Sequence, residues 1–115
     1  FIGLNNFASL LEQAGDYRTS LAMFREAYDR ARRNAASSED PRISMYRQNL
    51  GRSLMLNGLL DEARPLLEAI GEQEEEYTES RRLLRLLGFV DELKDDSVIV
   101  NNSIIREFIG GSVVG

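Results

Sequence analysis

Residues 6–27, NFASLLEQAGDYRTSLAMFREA, decide the fold, because their pattern returns after a shift of 43 in residues 49–70, NLGRSLMLNGLLDEARPLLEAI. Small residues, large apolar residues and a glycine keep their positions between the two segments. Recurrence at a fixed spacing is typical of helical repeats, whose neighbouring units stack to bury apolar faces that neither buries alone. The matched pairs are Asn6/Asn49, Phe7/Leu50, Ala8/Gly51, Leu11/Leu54, Gly15/Gly58, Tyr17/Leu60, Ser20/Ala63, Phe24/Leu67 and Ala27/Ile70.

Apolar residues recur at steps of three and four through most of the chain, which predicts amphipathic helices. We expect Gly15 and Gly58 to end helices, because glycine adopts the left-handed backbone conformation without penalty. Gly71 and Gly88 are interpreted in the same way. The predicted helices cover residues 2–14, 17–34, 41–57, 60–70 and 73–87, followed by one or two turns over 89–94 and a terminal helix over 97–109.

Close helix packing is expected inside each of the two units. Ala8 and Ser20 in the first unit correspond to Gly51 and Ala63 in the second. Small side chains at these positions let two antiparallel helices approach each other, and the large apolar residues around them fill the remaining space.

These residues resemble the tetratricopeptide repeat (TPR). The usual TPR period is 34 residues, and the longer period here is similar to the variety found in kinesin light chains and bacterial signalling proteins. Leu4-Asn5-Asn6-Phe7-Ala8 is similar to the opening of that variety, and Ala63-Arg64-Pro65-Leu66-Leu67 to a segment of its second helix. The positions that follow the TPR frame are Ala8, Leu11, Gly15-Asp16-Tyr17, Ser20, Phe24 and Ala27, then Gly51, Leu54, Gly58-Leu59-Leu60, Ala63 and Leu67.

The resemblance implies an all-α fold, a right-handed α-solenoid of antiparallel helix pairs. Residues 1–95 would form the repeat domain. Its repeats would cover about residues 2–36, 41–71 and, in degenerate form, 73–95. Residues 96–115 would then be a capping helix or a tail.

The resemblance also implies a binding site, because in the family the first helix of each pair lines a concave groove. Asn and Gln can bond a peptide backbone, Arg can hold a carboxylate or phosphate, and Met is an adaptable apolar contact. Position 5 is Asn and position 9 is Ser, so the full carboxylate clamp that binds chaperone tails is not expected. The predicted groove residues are Asn5, Asn6, Ser9, Glu12 and Gln13 in the first repeat and Met45, Gln48, Asn49, Arg52 and Met55 in the second.

Composition argues against several other functions. The 115 residues include no Cys and no His, which removes thiol and imidazole nucleophiles, bases and metal ligands. We therefore predict no enzyme activity, no metal and no cofactor. The 14 Lys and Arg against 19 Asp and Glu leave a net charge of −5, unlike the basic footprint of a nucleic-acid binder. No apolar run has the length of a membrane span, so no membrane association is expected.

The sequence therefore predicts a cytoplasmic scaffold that binds a protein or peptide partner in the groove. Because the chain starts at Phe1, we expect it to be a segment of a larger regulatory or signalling protein. An alternative remains open: the groove is filled by the chain's own C-terminal tail or by a second copy. The protein would then serve oligomerisation or structural spacing, with a possible homodimer through that tail.

Overall fold

The computed structural model describes residues 2–34, 41–70 and 78–110, and every regular element in these ranges is a helix. The all-α prediction is therefore confirmed. The helices are α1 (Ile2–Gln13), α2 (Tyr17–Asn34), α3 (Pro41–Leu56), α4 (Leu60–Glu68), α5 (Thr78–Asp95) and α6 (Asn102–Ile109).

The turn between α1 and α2 has the same backbone geometry as the turn between α3 and α4. Gly15 and Gly58 have φ values of +90° and +79°, as predicted for helix ends. At the first turn, the amides of Gly15 and Asp16 donate to the carbonyls of Glu12 and Leu11, at 3.0 and 2.9 Å. At the second turn, the residues 43 positions later make the same two bonds. This paired bonding is the Schellman motif, in which the left-handed residue lets the last carbonyls of a helix find donors.

Small residues bring the two helices of each pair together, as predicted. In the first pair, the Ser20 hydroxyl donates to the Ala8 carbonyl at 2.7 Å, and both residues are fully buried. In the second pair, a Cβ added to buried Gly51 would lie 2.7 Å from Cδ2 of Leu67. A larger residue at position 51 would therefore push α4 away from α3.

The helices pack in chain order, each of α1 to α4 against the next, and α3 also contacts α5. Hydrogen bonds from Asn49 to Asn5 and from Arg52 to Glu12 join α3 to α1. Asn5 precedes Glu12 in α1, and their partners Asn49 and Arg52 follow in the same order in α3, so α1 and α3 run in the same direction. The short final helix, α6, packs against α3 and α5.

The interpretation of Gly88 as a helix end was wrong. Gly88 lies inside α5, which continues to Asp95, because the apolar face of this helix extends through buried Leu87 and Val90. The turn that ends α5 is at Ser97, whose φ of 64° gives it the left-handed conformation that Gly15 and Gly58 have. The predictions for Gly71 and for residues 35–40, 73–77 and 111–115 lie outside the described residues.

No helix in the described part of the chain is both long enough and apolar enough to cross a membrane.

Replacing the two turn glycines by Ala tests the contact between the second turn and α6. Gly15→Ala introduces only left-handed strain, because a Cβ there has nothing within 4 Å, and we expect a loss of about 1–2 kcal/mol. Gly58→Ala adds a Cβ that collides with Oδ1 of Asn102, an exposed side chain that must turn away, so it should cost about 0.5 kcal/mol more. Urea unfolding measures both losses.

The matched control is Asn102→Ala, which removes the obstructing atoms. In that background the cost of Gly58→Ala should fall to that of Gly15→Ala. If Gly15→Ala and Gly58→Ala lower the free energy of unfolding equally while Asn102 is in place, the contact between the second turn and α6 is contradicted.

Candidate functional site

Arg52 lies at the centre of the surface where α1, α3 and α5 meet. Its Nε donates to Oε2 of Glu12 at 2.8 Å, and its Nη1 donates to Oε2 of Glu79 at 3.1 Å. Its side chain is only 14% exposed, and its guanidinium lies 5.9 Å from the centre of the Phe24 ring. One cation from α3 therefore binds an anion from the helix on each side.

Two further polar contacts join the same three helices. Nδ2 of Asn49 donates to Oδ1 of Asn5 at 3.1 Å, which connects α3 with α1. Oε1 of Gln48 accepts from the amide of Ser80 at 2.9 Å. Ser80 is the third residue of α5, where amides have no partner within their own helix, so Gln48 supplies the missing acceptor. We call these contacts, together with those of Arg52, the polar ladder.

Glu12 is held in this ladder at an electrostatic cost. Its side chain is 13% exposed, and its Oε1 is buried without a hydrogen-bond partner among the described residues. Burial raises the pKa of Glu12 above its ordinary value of 4.5, while the adjacent Arg52 opposes the shift and the Glu79 carboxylate adds to it. The net direction is upward, so the site favours the protonated form relative to water.

Most predicted groove residues contact other parts of the chain. Asn5, Glu12, Gln48, Asn49 and Arg52 all belong to the polar ladder, whose contacts run between helices. The remaining predicted residues are Ser9, which donates to the Asn5 carbonyl of its own helix, Asn6 and Gln13, which are exposed, Met45, which is half-buried against the core, and Met55, which is fully buried.

The residues that hold α6 against α3 and α5 were not predicted from the sequence. Nε of Arg106 donates to the Leu56 carbonyl at 2.9 Å, and its guanidinium lies 4.3 Å from the centre of the Tyr17 ring. Arg82 on α5 donates to the carbonyls of Phe108 and Ile109 at the end of α6. Both arginines satisfy carbonyls that a helix end leaves without partners. No sequence motif indicates which distant helix end an arginine will contact.

Apolar contacts fix α6 in the same place. Ile105, Phe108 and Ile109 are buried, and the rings of Phe89 and Phe108 are 5.4 Å apart. The sequence predicted a terminal helix over residues 97–109, but the helix begins only at Asn102. The sequence could not indicate which helices these residues would meet.

Acidic residues on α4 and α5 have basic partners. Glu62 on α4 pairs with Arg25 on α2, which lowers the pKa of Glu62 through a direct hydrogen bond. Asp91 on α5 pairs with Arg64 on α4 at 2.7 Å. Both ion pairs are exposed to solvent, and each joins two different helices. Within residues 2–34, 41–70 and 78–110, no cluster of three or more acidic residues could hold a metal ion.

Comparison of the chain with models of known families, with characterised proteins and with solved structures found no match. The TPR resemblance therefore stays a prediction that rests on the residues themselves.

Removing the Arg52 guanidinium should destabilise the protein strongly, because it leaves Glu12 as a buried carboxylate without a counter-ion. We expect Arg52→Met to lower the free energy of unfolding at neutral pH by about 3 kcal/mol. Adding Glu12→Gln should restore about 1 kcal/mol or more, because it removes the uncompensated charge. Urea unfolding of the single and double variants measures both effects.

The matched control is Arg30→Met, which breaks the exposed pair of Arg30 with Glu26 within α2. It should change stability by less than about 0.5 kcal/mol. If Arg52→Met and Arg30→Met lower the free energy of unfolding equally, Arg52 does not stabilise the contact between the helices.

The raised pKa of Glu12 predicts a dependence of stability on pH. The folded state holds the proton to higher pH than the unfolded state does. The Glu12 contribution to stability is therefore fully present below about pH 4.5 and is lost as pH rises through the higher pKa of the folded state. Compared with Glu12→Gln, which cannot titrate, the wild type should lose stability over this window and then level off. A relative gain over the same window would mean that attraction to Arg52 outweighs burial.

Proposed function

We propose that this protein is an interaction scaffold that binds an amphipathic helix against α3 and α5, on the surface that α6 occupies. The observation that carries the proposal is α6 itself. This eight-residue helix has buried Ile105, Phe108 and Ile109 on one face and lies on that surface. A surface that accepts one short apolar helix has the shape and chemistry to accept another.

The contacts of α6 define what a partner helix would need. Apolar residues at the spacing of Ile105, Phe108 and Ile109 would fill the apolar surface beside Phe89. The free carbonyls at its end would accept from Arg82, as those of Phe108 and Ile109 do. The partner would therefore be a short amphipathic helix that ends near Arg82.

The polar ladder favours this site over recognition of an extended peptide by Asn49 and Arg52. Both side chains have partners on α1, and Arg52 also has one on α5. An extended peptide would have to break these contacts before it could form its own. A partner helix at the α6 position leaves the ladder intact.

The TPR-like architecture belongs to this proposal, as do the right-handed stacking of the pairs and a cytoplasmic regulatory role. The repeated turn at Gly15 and Gly58 and the parallel course of α1 and α3 support the TPR-like architecture. The proposal gives the protein no catalytic role. The remaining alternative is that α6 is a permanent part of the fold and that the protein is a structural spacer.

Supplying α6 as a separate peptide distinguishes a binding surface from a permanent part of the fold. The full-length variant Ile105→Ser/Phe108→Ser removes two of the three buried apolar side chains of α6. The probe is a synthetic peptide of residues 101–110, NNSIIREFIG. We expect amide NMR signals of Leu56 and Arg82 to shift with peptide, with an affinity at least about tenfold higher than for the wild type.

The same peptide with both serine substitutions is the control and should cause no shifts. Circular dichroism checks that the protein variant keeps its helices, and Phe108→Ala is a milder substitute if it does not. If neither protein binds the peptide, the spacer alternative is favoured. Equal binding to both would show that the peptide binds elsewhere.

A further inference from the structure

We propose that one exposed face of α1 pairs with the same face of a second copy of this chain. The face consists of Gly3, Phe7 and Leu10 and continues at Ala14, directly after the helix, and we call these four residues the α1 stripe. Phe7 is 53% exposed and Leu10 is 62% exposed, while Gly3 and Ala14 are exposed as well. Large apolar side chains that lie next to each other on one helix face are costly to leave in water.

The internal repeat shows that this stripe corresponds to a buried surface. Shifting Gly3, Phe7 and Leu10 by 43 residues gives Tyr46, Leu50 and Ser53 on α3. These three are 7%, 3% and 1% exposed. The same helix face is therefore covered in the second pair and open in the first.

In the second pair, an antiparallel helix covers the residues of α3 that correspond to the α1 stripe. The fourth position of the stripe, Ala14, corresponds to Asn57, whose Nδ2 donates to the Tyr17 carbonyl at 3.0 Å. Tyr17 is the first residue of α2, and Asn57 directly follows the last residue of α3. The start of α2 thus lies beside the end of α3, and the two helices pack closely in opposite directions. The α1 stripe is suited to the same kind of neighbour.

A second copy supplies such a neighbour by symmetry. A two-fold axis perpendicular to α1 places the α1 of the second copy alongside it in the opposite direction. The stripe is self-complementary in this arrangement. Phe7 lies against Leu10 of the second copy, and Gly3 lies against Ala14, so small residues at both ends allow close approach.

Charge also favours a second copy at this face. The exposed residues of α1, which include Asn6 and Gln13 beside the stripe, are all uncharged. The one charged residue of α1, Glu12, is bound to Arg52. The whole chain carries a net charge of −5, and pairing through an uncharged face sets no like charges against each other at the contact. Within the described part of the C-terminal tail, Ile105, Phe108 and Ile109 are buried in the same chain, so these three side chains cannot make such a contact.

Sedimentation equilibrium of the full chain tests the proposal. From micromolar to millimolar concentration, the wild-type mass should rise from 13.0 kDa toward twice that value. Leu10→Glu should lower the association constant by about tenfold or more, because it places a charge against the apolar Phe7 of the second copy. Its helix content should not change, since Leu10 is exposed. If the helix content of Leu10→Glu does change, Leu10→Gln is measured instead.

Two controls test the position and direction of the contact. Ile99→Glu adds the same charge at a residue that is 87% exposed outside α1, and it should leave association unchanged. A mixture of Leu10→Glu with Phe7→Lys should associate more strongly than either variant alone, because antiparallel pairing sets the introduced carboxylate against the introduced ammonium group. A wild-type mass that stays at 13.0 kDa overturns the proposal. So does an association that Leu10→Glu leaves unchanged or that Ile99→Glu abolishes.

Discussion

The guanidinium of Arg52 joins α1, α3 and α5, which otherwise pack mainly against the helices next to them in the chain. Within a pair, backbone turns and small residues bring the two helices together. Between pairs, the largely buried cation of Arg52 binds Glu12 on one side at 2.8 Å and Glu79 on the other at 3.1 Å. Because a buried charge is costly without its partners, the three helices are coupled more strongly than exposed ion pairs would couple them.

This junction explains why residues expected to bind a ligand are committed to the fold. The resemblance implies that the first helix of each pair carries the groove residues. In the structure, four of these residues on α1 and α3 contact one another instead: Asn5, Glu12, Asn49 and Arg52. Once these groups are paired, the sites that we propose for a partner are two other surfaces of the described residues. One is the apolar surface that α6 covers, and the other is the uncharged stripe of α1.

The sequence predicted the fold well where local physics decides the outcome. Gly15 and Gly58 were identified as turns because the left-handed conformation favours glycine, and Ala8 and Ser20 as close contacts because only small residues fit. It failed at the end of α5, where Ser97 has the left-handed conformation and Gly88 is helical. It also missed Glu79, Arg82 and Arg106. Their partners are far away in the chain, and no local pattern indicates which distant carbonyl or carboxylate an arginine will meet.

Native-state hydrogen exchange of wild type and Arg52→Met tests the coupling most directly, because it reports stability helix by helix. The account predicts that the amides of α1 and α5 lose protection together in the variant. The α3–α4 pair should lose less, since its Schellman turn and its Gly51–Leu67 contact do not involve Arg52. Uniform loss across all helices, or unchanged protection in α1 and α5, would contradict the claim that Arg52 holds the first helices together.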